Sequence, residues 1–141
     1  MGPIEAALTA HLLRWEGKPF AFGTADCVNF TVDWIDAQRG TSFGTQTALQ
    51  YRALPFRELR MLGEPGRLRA AVIDALGAPS DTLTPKAGDV VLFLTGEGKE
   101  ALGVAGEALL YGPDRNGLSG IAQAQRVTAV WPLERIVPCR P

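Results

Sequence analysis

The residues with the chemistry of a hydrolase site are Cys27, Asp26 and His11. Asp26 and Cys27 are adjacent in "FGTADCVNF", residues 22–30, at the point where a loop meets an apolar run. A thiol at the start of a helix feels the positive end of the macrodipole, which favours the thiolate. Asp26 is placed to cap that helix by accepting a backbone N–H from the next turn. A nucleophilic cysteine also needs a base within hydrogen-bond reach, usually an imidazole held by a third polar group. The chain has one histidine, His11, and it precedes Cys27. His11 falls on the apolar stripe of an N-terminal helix. There it could act as a relocated base or serve as a boundary residue bonded to backbone. Cys27 likewise has a plain alternative, a small buried hydrophobe.

Two cysteines, Cys27 and Cys139, and one histidine make no zinc-ligand spacing, so no metal and no cofactor is expected. A disulfide between the two cysteines would tie an interior helix to the C-terminal tail. The N-terminal stretch lacks the basic and apolar regions of a signal peptide, which argues against that bond and against export. The net charge of −1 supplies no field for nucleic acid or an anionic membrane. Arg67 and Arg69 form too small a patch for nucleic acid and read as a solvated face. No apolar run approaches the ~20 residues needed to span a bilayer.

The elements that must position these residues can be read from periodicity. Ile4, Ala7, Leu8, His11, Leu12 and Trp15 follow the spacing of an amphipathic helix, stopped by Gly17 and Pro19. Residues 26–39 read as a helix apolar around much of its circumference, hence central and buried, and Gly40 ends it. Asp33 and Asp36 fall on its solvated edge. The middle of the chain, residues 47–79, reads as short helices, with the clearest stripe at Leu68, Ala71, Val72 and Leu76. After "SDTLTPKAGD" the pattern becomes that of strands: "VVLFL", "ALGVAG", "EALLYG", "LSGIAQA" and "RVTAVWPL". Helices followed by an antiparallel sheet give an α+β fold in a single domain over residues 1–141, helical over 1–80 and sheet over 88–134. Trp15, Phe20, Phe22, Trp34 and Trp131 read as core, with a peptide groove as the alternative.

The segment "WEGKPFAFGTADCVNFTVDWIDAQRG" resembles the N-terminal signature of NlpC-type cysteine peptidases, papain-like enzymes that cut bacterial cell-wall peptides. Phe22, Gly23, Asp26 and Cys27 match its aromatic-Gly-x-x-x-Asp-Cys motif. Pro85, Gly88, Asp89 and Phe93 match the Gly-Asp segment that leads into the family's first core strand. The pattern is most similar to a short branch encoded by tailed phages, prophages and gene-transfer-agent-like clusters. The resemblance implies a papain-like fold, with Cys27 as nucleophile and a histidine opening the second core strand. The matching strand here is "ALGVAG", with Ala101 where that histidine would stand. The family's third polar residue falls near Ser119 and Gln123.

The resemblance therefore implies a component of a phage-like tail whose enzyme site has lost its histidine, with a structural or assembly role. Its partners would be other tail or hub proteins, and its place the virion tail, assembled in the bacterial cytoplasm. Two alternatives stay open: an active cysteine hydrolase on cell-wall peptides, and a non-catalytic module that binds such peptides.

Overall fold

The computed structural model describes residues 2–18, 26–39, 64, 66–95, 98–114, 117–122 and 126–136. The expected helices over 47–63, the Gly40 stop, Phe20, Phe22, Gly23, Gln123 and Cys139 lie outside the described residues.

Helix α1, Pro3–Trp15, starts with proline in its first turn, where the missing N–H costs nothing, and carries Glu5 early and Arg14 late. Its buried residues, Leu8, His11 and Trp15, are members of the stripe read from the sequence. Helix α2, Cys27–Arg39, is capped as expected: Asp26 Oδ1 accepts the backbone N–H of Asn29 at 3.0 Å. Phe30, Thr31, Val32, Trp34 and Ile35 are all buried, while Asp33 is exposed. Helix α3, Arg67–Leu76, is bounded by Gly66 and Gly77, both at positive φ, and buries Leu68 and Val72.

Five antiparallel strands follow: β1 Val90–Leu94, β2 Glu100–Ala105, β3 Leu109–Asp114, β4 Gly117–Ala122 and β5 Val127–Trp131. Their spatial order is β4-β3-β2-β1-β5. The third strand starts later than the sequence suggested, because Gly106 N–H bonds to Leu109 O at 2.7 Å and closes a tight turn through Glu107 and Ala108. The last strand stops at Trp131, since Pro132 has no N–H to continue a ladder. A short helix α4, Leu133–Ile136, follows it.

β1 pairs with β2 along its whole length. β2 meets β3 at only two residue pairs, Val104↔Tyr111 and Ala105↔Leu110, whereas β3 and β4 pair from Leu109↔Ala122 to Asp114↔Gly117.

Alternation along the strands divides the core. Val90, Leu92, Leu102, Ala129 and Trp131 pack with Ile35, Leu68 and Val72 of α2 and α3. Leu8, Trp15, Phe30, Trp34 and Val104 form a second cluster between α1, α2 and the sheet. On the other face of the sheet, Val91, Phe93, Ala105, Leu110 and Val130 form a third. The observed architecture is therefore α+β, helices packed on a five-stranded antiparallel sheet. The three tryptophans are core: Trp15, Trp34 and Trp131 are at most 4% exposed, so none of them frames an open groove.

Candidate functional site

Cys27 is the first residue of α2. The capping carboxylate beside it is occupied, because Asp26 Oδ1 accepts both the backbone N–H and the side-chain Nδ2–H of Asn29, each at 3.0 Å. Asp26 is itself 2% exposed. The Asn29 side-chain oxygen is buried without a hydrogen-bond partner among the described residues. One turn along, Thr31 Oγ1 donates to the Cys27 carbonyl at 2.9 Å.

The cysteine packs against the cluster that contains Leu102 of β2 and Ile35 of α2. Burial is the largest influence on its thiol and pushes the pKa up to about 11. The backbone amide of Leu102 and the first amides of α2 favour the thiolate, and the Asp26 carboxylate opposes it. The helix terminus does act on this sulfur in the direction the sequence suggested. Desolvation is the larger effect, and at neutral pH the group is a thiol.

Ala101 is next in sequence to Leu102, yet its side chain goes the other way. It joins the cluster of Val91, Phe93, Ala105, Leu110 and Val130, on the face of the sheet opposite Leu102. The backbone of β2 thus approaches Cys27 while the side chain at position 101 points off that face. To turn residue 101 toward the thiol, β2 would have to slip by one residue, which would expel Leu102 and Val104 from the core.

His11 is fully buried, and its ring neighbours are Trp15, Phe30 and Trp34, at centroid distances of 6.3, 4.5 and 5.5 Å. It donates through Nε2 to the Phe30 carbonyl at 3.0 Å, and Nδ1 accepts from Arg14 Nη2 at 3.1 Å. Both ring nitrogens are engaged, which fixes a neutral Nε2–H tautomer. Burial, as the largest cause, lowers the pKa to about 4, against the pull of Asp33, whose carboxylate is 3.7 Å from Nδ1. Asp33 also accepts the Trp15 indole N–H at 2.9 Å. The imidazole therefore belongs to the α1–α2 seam. His11 packs with the second cluster and Cys27 with the first, and the structure does not bring the two together.

Ser119 lies in β4, and its side chain is outside the description. No group of three or more His, Cys, Asp or Glu residues able to hold a metal occurs among the described residues. No described helix is long and apolar enough to cross a membrane.

Three residues were underrated by sequence reading. Arg69 is not simply solvated: it donates to Thr128 O at 2.8 Å, has Glu100 at 3.7 Å, and so ties α3 to β5. Gly88 and Asp89, carried by a short Gly-Asp signal, form a junction. Gly88 sits at φ +94° against Ile4, Leu133 and Trp34. Asp89 accepts the backbone N–H of Lys86 at 2.8 Å and of Leu133 at 2.9 Å, closing one turn and opening α4.

A family model described as a domain of unknown function, DUF6950, matches residues 3–133. No curated protein matches the chain.

Proposed function

The chain belongs to the DUF6950 family, and from that premise we propose that it is a catalytically silent domain of NlpC type, with a papain-like fold, serving as a structural or assembly component of a phage-like tail. The helix-then-sheet order, Asp26 and Cys27 at the head of the central helix, and Gly88–Asp89 before the first strand support the fold part of this reading. The resemblance to short tail-encoded NlpC-like chains supports the context.

The observation that carries the silent site is the state of Cys27. Its thiol is raised to about 11 by burial, and its β2 neighbour offers a backbone amide and no base. Acyl transfer needs a group that takes the thiol proton and returns it to the leaving amine. Ala101 cannot hold a proton, and both nitrogens of His11 are bonded elsewhere.

Replacing Cys27 by Ser in the particle that encodes the chain tests this reading. Normal assembly and normal infectivity are expected. Loss of infectivity by a variant that folds and assembles would overturn it. So would turnover of muropeptides by the pure protein that disappears in Cys27→Ala, which would instead establish a cysteine hydrolase.

A further inference from the structure

No further inference is drawn: the strongest candidate, the cleft of about 380 Å³ between α1 and the β2–β3 turn, lined by Glu5, Leu8, Leu12, Glu107 and Tyr111 among others, has a pair of carboxylates as its only charges, and nothing in the structure shows what covers it.

Discussion

The Trp34 indole N–H donates to the Gly88 carbonyl at 2.8 Å, fastening the centre of α2 to the residue two before β1. Gly88 needs φ +94°, and a Cβ there would stand 2.7 Å from Ile4 Cγ2 and 3.1 Å from Leu133 Cδ2. Gly88→Ala should cost about 1–3 kcal/mol, from backbone conformation alone and before any displacement of Ile4. Trp34→Phe, which leaves the carbonyl without a donor, should cost a further amount of about 1–3 kcal/mol in a separate variant. Urea midpoints of the two variants measure both effects. A Gly88→Ala variant as stable as the parent would show that the glycine is not required.

Asp89 should matter as much for a different reason. Removing its carboxylate in Asp89→Ala leaves two backbone N–H groups, those of Lys86 and Leu133, without acceptors. A loss of roughly 2–4 kcal/mol is expected, with α4 the first element to lose amide protection. Uniform protection loss across the sheet would point instead to a general weakening of the core.

Alkylation of Cys27 by iodoacetamide should be slow at pH 7 and still rising above pH 9, because burial holds the thiol near 11. Mass spectrometry with Cys139→Ala as background isolates this site. A plateau reached below pH 7 would reveal a stabilised thiolate and reopen the case for an enzyme.

Ala101→His is the direct test of side-chain direction. The residue at 101 joins the far-face cluster, so an imidazole there should leave the alkylation profile of Cys27 within about half a pH unit of the parent. A fall of more than one unit would mean that this side chain reaches the thiol, and that the face assignment of β2 is wrong.

His11 gives the fold an acid limit. Folded, its imidazole takes a proton only near pH 4, while an unfolded histidine takes one near 6.5. Between those values the unfolded chain binds the extra proton. This contribution to stability is therefore complete above pH 6.5 and is lost as pH falls toward 4. The shift corresponds to roughly 3 kcal/mol. His11→Gln, which can still donate to the Phe30 carbonyl, should flatten the stability curve over that window relative to the parent. Parallel curves for the two proteins would show that carboxylates carry the dependence.

The helices and strands were legible because their signals are periodic and local. The Leu8, His11, Trp15 stripe and the "VVLFL" run needed nothing beyond side-chain spacing. Asp26 as a cap was legible for the same reason, since cap and first turn are neighbours in sequence. What could not be read is what distance in sequence hides. The burial that outweighs the helix terminus at Cys27 comes from packing against a cluster that includes Leu102, seventy-five positions on. The two bonds that engage the ring nitrogens of His11 join it to Phe30 and Arg14, and only the second follows from helical spacing. Alternation along any strand puts neighbours such as Ala101 and Leu102 on opposite faces. Which face meets α2 is settled only by the packed sheet. The role of Asp89 at α4 was equally invisible, because it spans forty-four positions.

The narrow seam between β2 and β3 has a dynamic consequence. β3 and β4 hold each other through six residue pairs but hold the rest of the sheet through two. The hairpin is therefore a cooperative unit of its own, able to swing away at a lower free energy than global unfolding. Its amides should exchange with solvent as a group, earlier than those of β1, which is paired on both sides. Each such opening would strip cover from Val104 and Ala105, giving this small domain a breathing mode centred on one seam.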